Sequence, residues 1–210
     1  MDIILKQGTR VLMPTEYEKL RNAMIERDEW DRINELLAEG NISKANKIQR
    51  YQIISDALLF SGMRPIEFER MERSWYRAPR RCIVLPKGAC LKEKCEYTER
   101  TILLSLPGCD AIDRYLISGI KKPGKVAMRD ALRRYAIKAG IGEQGITSKM
   151  FRKTLVSWLV ACFEEKHLSI AASMGHNVET IRKNYLGLAF PSNEIELMKN
   201  KYLVEWGKTL

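Results

Sequence analysis

Several features are scarce or absent in this sequence. No stretch approaches the run of about 18 apolar residues that a membrane span needs, and the N-terminus has no secretory apolar segment. The chain is therefore expected in the cytoplasm, with no membrane partner. Histidine occurs only at His167 and His176. Cysteine occurs five times, at Cys82, Cys90, Cys95, Cys109 and Cys162, an odd set with no C-x-x-C spacing that fits reduced thiols. The first four fall around an expected hairpin, so a structural zinc stays open as an alternative, although their irregular spacing speaks against it. There is no internal repeat, low-complexity tract or long linker.

What is present points to a globular chain with a basic surface. Its 210 residues, 45% of them hydrophobic, suffice for one well-buried domain or one domain with a small appendage. Against 26 Asp plus Glu stand 36 Lys plus Arg, a formal charge of +10, so a polyanion such as nucleic acid is the favoured partner.

Patterning predicts a mainly helical fold with one small antiparallel β-hairpin or sheet, an α+β domain. Residues 1–12 read as an extended lead-in. A helix is expected after Pro14, with Thr15 and Glu18 as its capping box and Tyr17, Leu20, Met24 and Ile25 as its apolar face. The charged stretch from Glu26 to Glu39 reads as an exposed helical excursion closing at Gly40 and Asn41. Ser43 then caps a helix carrying Ile48, Tyr51, Ile54, Ala57 and Leu58, which Gly62 ends just before Arg64; Pro65 opens another short helix. Strands are expected from Arg81 to Leu85 and Arg100 to Leu106, joined by a loop bearing Lys87, Lys92 and Lys94. Beyond them, helices are expected at about 109–119, 125–139, 148–163, 167–174, 177–187 and 192–205.

Five residues in this frame have the equipment to cleave a phosphodiester. Arg64 and Arg152 are guanidinium groups, which bind phosphate oxygens in bidentate fashion and match the charge that builds on them in the transition state. Lys149 and Arg152 lie three apart in a first helical turn, where the partial positive charge of the helix end adds to theirs. His176 follows Gly175 at a turn, and Tyr185 carries a hydroxyl able to attack phosphorus if a neighbour accepts its proton. Each has an ordinary reading by itself. Arg64 could pair with Glu67 or Glu69, Lys149 and Arg152 could form a solvated basic helix start, His176 could be structural, and Tyr185 could be a half-buried core tyrosine.

Their joint occurrence resembles the tyrosine recombinases, or phage-type integrases. Ser61-Gly62-Met63-Arg64-Pro65-Ile66-Glu67 is similar to that family's first arginine box, and Gly175-His176-Asn177 through Tyr185 to its last. Lys149-Met150-Phe151-Arg152-Lys153-Thr154 occupies the middle box, with lysine where the bacterial pattern has histidine. That lysine resembles the integrases of archaeal viruses and plasmids, as do Ser157-Trp158-Leu159-Val160, Tyr185-Leu186-Gly187-Leu188 and the tail from Glu194 to Gly207. Pro14-Thr15-Glu16-Tyr17-Glu18-Lys19-Leu20 resembles the first helix of the family's catalytic domain.

The resemblance implies a catalytic domain over residues 14–210, preceded by a lead-in of 1–13 and ending in a helical tail of 192–210. It also implies DNA cleavage and rejoining without metal or ATP, for integration or excision of a mobile element. Tyr185 would form a 3′-phosphotyrosyl link, Arg64 and Arg152 would stabilise the transition state, and Lys149 and His176 would assist with charge or protons. A hairpin lysine would protonate the leaving 5′-oxygen: Lys92 fits the family's interval best, with Lys94 and Lys87 as alternatives. Double-stranded DNA would be the partner, bound by a homo-tetramer, with the tail docked on a neighbour or folded back. The family's usual N-terminal core-binding domain has no counterpart here, which would make this a catalytic fragment or a minimal protein. A type IB topoisomerase-like nicking and relaxing enzyme, and a non-catalytic helical DNA-binding module, remain the alternatives.

Overall fold

Helix α8 (Lys149–Cys162) buries Met150, Phe151, Leu155, Val156, Trp158, Leu159 and Val160, leaving it almost no polar side, and such a helix has to lie in the interior. Helix α4 (Arg50–Ser61) is alike, with every residue from Gln52 to Ser61 buried. The two pack together in the computed structural model, which describes residues 5–89, 99–185 and 188–208. Around them stand α1 (Pro14–Asn22), α5 (Pro65–Glu69), α6 (Leu106–Ser118), α7 (Lys125–Lys138), α9 (His167–Met174), α10 (Val178–Tyr185) and α11 (Ser192–Leu197).

The segment ahead of Pro14 is more than extended chain. Its strands β1 (Leu5–Lys6) and β2 (Thr9–Arg10) pair antiparallel, and Val11 and Leu12 are fully buried. Leu12 accepts a hydrogen bond from Trp158 Nε1 at 2.8 Å and donates its N–H to Thr154 Oγ1 at 3.0 Å, so the polar atoms of buried α8 are satisfied by this segment. Helix α1 is capped differently from expectation. Met13 is its N-cap, with its N–H bonded to Glu16 Oε2 at 3.0 Å, while the Thr15 hydroxyl donates to Glu194 Oε1 at 2.5 Å.

Residues expected as one helix after Ser43 form two. Helix α3 (Ile42–Ile48) has Asn41 as its N-cap and ends at Gln49, whose backbone leaves helical geometry before α4 begins. The break has a packing cause. Ala45 belongs to a satellite core with Ile25, Ile33 and Leu36, the last two from α2 (Arg27–Ala38), whereas α4 belongs to the main core, and one straight axis cannot serve both. The Glu26–Glu39 stretch therefore buries one side and is exposed only on the others.

The expected hairpin is present as β4 (Cys82–Leu85) and β5 (Arg100–Leu103), with Ile83 opposite Ile102. A third strand, β3 (Tyr76–Arg77), pairs antiparallel with β4, and at two residues it is too short to show alternation in the sequence. Helix α6 starts at Leu106, three residues before the expected 109, because Ser105 caps it by accepting the Gly108 N–H at 3.2 Å.

After α11 the chain widens into a π-helical turn over Met198–Tyr202 and folds back on its own domain. Met198, Tyr202, Leu203 and Trp206 are buried, and Trp206 Nε1 donates to the Leu103 carbonyl at 3.0 Å. Cys82 and Cys162 are buried free thiols and Cys109 a half-buried one; Cys90 and Cys95 lie outside the described residues. Among the described residues no helix is long and apolar enough to cross a membrane.

Candidate active site

The chain leaves α4 through Gly62, whose φ of +58° suits only glycine comfortably. A Cβ there would sit 2.8 Å from both Leu155 Cδ2 and Met174 Sδ, so the turn lies tightly against α8 and α9. The extended backbone of Arg64 follows as N-cap of α5, with Pro65 in the first turn. Glu67 closes this turn. Its Oε2 accepts the Arg64 N–H at 2.7 Å, and its Oε1 accepts from Arg64 Nη1 at 2.8 Å. The ion pair anticipated for Arg64 is present, and Arg64 Nη2 also reaches the Gly175 carbonyl at 3.5 Å.

A second guanidinium reaches the same carboxylate from β5. Arg100 Nη1 donates to Glu67 Oε1 at 2.9 Å and Nη2 to Oε2 at 2.7 Å, and the Glu67 side chain is 0% exposed. Burial works to raise the pKa of Glu67, but the hydrogen bonds and charge of Arg100, the Arg64 N–H and the charge of Arg152 together bring it down to about 2.

Arg152, in the first turns of α8, is buried. Its Nη1 donates to the Gly62 carbonyl at 2.7 Å and its Nη2 to the Met174 carbonyl, so it ties together the turns that precede Arg64 and His176. Nη2 also lies 3.0 Å from His176 Nε2. Burial and the neighbouring Arg64 charge lower the Arg152 pKa to about 9, which leaves it charged at neutral pH.

His176 follows Gly175, the left-handed end of α9 with φ +59°. Burial, then the charges of Arg152, Arg64 and Arg100, push its pKa down to about 3, against a weaker opposing pull from Glu67. Its ring stacks on that of Tyr185, with centroids 5.9 Å apart and planes 18° from parallel. Tyr185 closes α10 and is 7% exposed; burial raises its pKa, while Arg152 and Arg64 pull the other way. Its hydroxyl is thus protonated at neutral pH.

The structure brings together Arg64, Arg152, His176 and Tyr185 of one chain. Lys149 stands exposed at the first position of α8, one turn before Arg152. Lys87 is exposed just beyond β4, and Lys92 and Lys94 lie outside the described residues. Arg100 was missed as a site residue. The signal was in the strand alternation, because Arg100 lies on the same side as fully buried Ile102, and a charged residue on the inward face of a strand requires a buried partner.

This architecture matches solved structures. The chain is similar to XerA recombinase, with a TM-score of 0.56 and 17% identity over 90% of this chain and 63% of that one. The fold is that of the tyrosine recombinase catalytic domain. XerH site-specific recombinase, in a post-cleavage complex on its palindromic difH substrate, is similar at TM-score 0.56 and 16% identity, over 84% of this chain and 49% of that one. For the Tn1549 transposon integrase in complex with transposon right-end DNA, the TM-score is 0.58 and the identity 15%, over 93% of this chain and 66% of that one. The chain therefore spans about half to two thirds of the length of the structures it matches. No family model matches the sequence, and no curated protein sequence matches it.

Proposed function

We propose that this chain is the catalytic part of a site-specific DNA recombinase that cleaves and rejoins strands through Tyr185. The observation that carries this reading is one convergence: Tyr185 stacks on His176, whose Nε2 faces buried Arg152, beside the Glu67-held Arg64. A tyrosine next to two guanidiniums is the equipment for attack on a phosphodiester.

In this reading the Tyr185 oxygen bonds to phosphorus as the bond to the 5′-oxygen breaks. Arg64 and Arg152 hold the non-bridging oxygens, and exposed Lys149 adds charge from the start of α8. The phenolic proton passes to Nε2 of neutral His176, which can take it once Arg152 Nη2 has turned from the imidazole to the phosphate. DNA phosphate beside Arg64 and Arg152 offsets the positive charge that depresses His176, so the imidazole becomes more basic when substrate is bound. The departing oxygen takes a proton from the hairpin lysine, Lys92 by interval, with Lys94 or Lys87 as alternatives. Attack by a second 5′-hydroxyl reverses the step and conserves bond energy, so the reading requires no ATP, and with arginines supplying the charge it requires no metal. A mobile element of archaeal type, such as an integrating viral genome, fits the lysine in the middle box, and tetramers on double-stranded DNA are the working assembly.

The test is incubation with a pool of nicked suicide duplexes, followed by denaturing electrophoresis. A denaturant-resistant protein–DNA band that Tyr185→Phe abolishes is expected, together with strand joining when a 5′-hydroxyl acceptor is added. No band on any duplex would sink the enzymatic reading, and a band without joining would shift it to nicking and relaxation.

A further inference from the structure

Two guanidiniums, those of Arg64 and Arg100, bond to one carboxylate, Glu67, and the charge of a third, Arg152, acts on it from nearby. The arithmetic matters for a site that must receive an anion. With Glu67 ionised and His176 neutral, the described residues of the cluster carry three positive charges and one negative, a net +2. Without Arg100 the net is +1, and Glu67 would neutralise Arg64.

We propose that Arg100 is a positioning residue that serves as the counter-ion of Glu67, so that Glu67 can aim Arg64 without cancelling the charge Arg64 offers to a scissile phosphate. This inference rests on the recombinase reading above. Its geometric basis is the bidentate pair. Arg100 engages both Glu67 oxygens at 2.9 and 2.7 Å, while Arg64 approaches with one guanidinium nitrogen at 2.8 Å. The Arg100 side chain is only 10% exposed, against 25% for Arg64, so the deeper cation serves the carboxylate and the shallower one faces outward. Fork-to-fork pairing is the geometry that gives an arginine–carboxylate pair most of its strength and directionality.

The surroundings are shaped around Arg100. A Cβ on Gly175 would come within 3.0 Å of Arg100 Cδ and 3.1 Å of its Nε, so glycine at this turn lets the Arg100 stem pass directly under the residue before His176. Arg100 is also the first residue of β5, the strand that returns from the loop carrying the lysine candidates. The contact thus links the hairpin to both the Arg64 turn and the His176 turn. The lowered pKa values of His176 and Arg152, to each of which the Arg100 charge contributes, agree with its place among them.

The experiment compares four proteins on suicide DNA at saturating concentration: the unaltered chain, Arg100→Met, Arg100→Lys and the double variant Arg100→Met/Glu67→Gln. Arg100→Met should slow covalent adduct formation by about 100-fold while DNA affinity changes by no more than about threefold. Arg100→Lys, which keeps the charge but loses the fork, should recover part of that rate. The double variant should be faster than Arg100→Met alone, because a neutral amide in place of the Glu67 carboxylate no longer draws on Arg64. Losses that multiply, or an unchanged rate in Arg100→Met, would overturn the proposal.

A second readout needs no DNA. The two imidazoles can be titrated by NMR in each folded protein, and His176 is faced by Arg64 and Glu67 from α5 and its cap, Arg100 from β5, Arg152 from α8 and Tyr185 from α10. Its titration should move upward in Arg100→Met and partly back in Arg100→Lys; a His176 titration that stays in place overturns the proposal. If the unaltered chain forms no adduct, the recombinase reading falls by itself, and the titration still decides whether Arg100 sets the charge of this cluster.

Discussion

Arg152 Nη2 and His176 Nε2 lie 3.0 Å apart, and because a guanidinium can only donate, the imidazole has to accept. His176 is therefore neutral with its proton on Nδ1, an atom that is buried with no hydrogen-bond partner among the described residues. Protonating Nε2 would set two donors against each other.

Acid should therefore loosen the protein in a defined window. The folded pKa of His176, about 3, lies below the ordinary 6.5, so the unfolded chain binds more protons between these values and stability falls as pH drops through them. Glu67, at about 2 against 4.5, adds a loss in the same direction at lower pH. Thermal midpoints measured from pH 7.5 down to 3.5 should decline, and His176→Gln, which keeps a polar side chain but cannot titrate, should flatten the part of the decline above pH 4.5. An equally steep decline in that variant would refute the assignment.

Gly62→Ala should cost about 1–3 kcal/mol in denaturant unfolding, from left-handed strain and overpacking together. Its Cβ would meet Leu155 and Met174 at 2.8 Å. Gly40→Ala is the control: its φ is +74° but nothing lies within 4 Å, so only the backbone strain remains, roughly 1–2 kcal/mol. Equal costs at the two positions would mean that the Gly62 turn has room to relax.

Arg64→Lys should slow adduct formation on suicide DNA by about 100-fold or more, since an ammonium cannot both pair with Glu67 and span two phosphate oxygens. Its effect on unfolding should be small, because Glu67 keeps its bidentate partner Arg100. A variant that cleaves at the normal rate would show that Arg64 offers only its charge.

Glu194→Ala should detach the tail. Glu194 is 1% exposed and accepts both the N–H and the hydroxyl of half-buried Thr15, and hydrogen bonds to a charged group contribute about 1.5–3 kcal/mol each. Limited proteolysis should then cut near α11 faster than in the unaltered chain, with the rest of the domain resisting. A tail equally resistant in both would place its anchor at Tyr202 and Trp206 instead.

DNA binding should be strongly salt-dependent. If six or more phosphates are neutralised, affinity should fall about 1,000-fold or more between 50 and 200 mM salt. A shallow slope, measured by fluorescence anisotropy, would argue against phosphate contacts as the main source of affinity for this chain of net charge +10.

Local signals carried much of this structure. Pro65 after Arg64, Gly62 and Gly175 at helix ends, and the helix over about 148–163 were legible because each acts through its own backbone or its immediate neighbours. The break at Gln49 was not, since it reflects a choice between two cores that no helical period records. The β3 strand was too short to have a period. At the candidate site, order along the chain marked Arg64, Arg152, His176 and Tyr185, but the Arg100–Glu67 pair joins residues 33 apart and is written only in how β5 meets α5.

The anchoring of Arg152 on the carbonyls of Gly62 and Met174 has a consequence for biogenesis. One guanidinium clasps residues 90 positions before it and 22 after it, so the site has no half-built form. During synthesis, a chain that has emerged only through α8 has Arg64 and Arg152 but lacks the carbonyl, imidazole and phenol that complete the pocket. Long-range closure of this kind is slow to form and cooperative to lose. Local unravelling of α9 and α10 would therefore take the Met174 carbonyl, His176 and Tyr185 away from Arg152 while most of the core stayed intact.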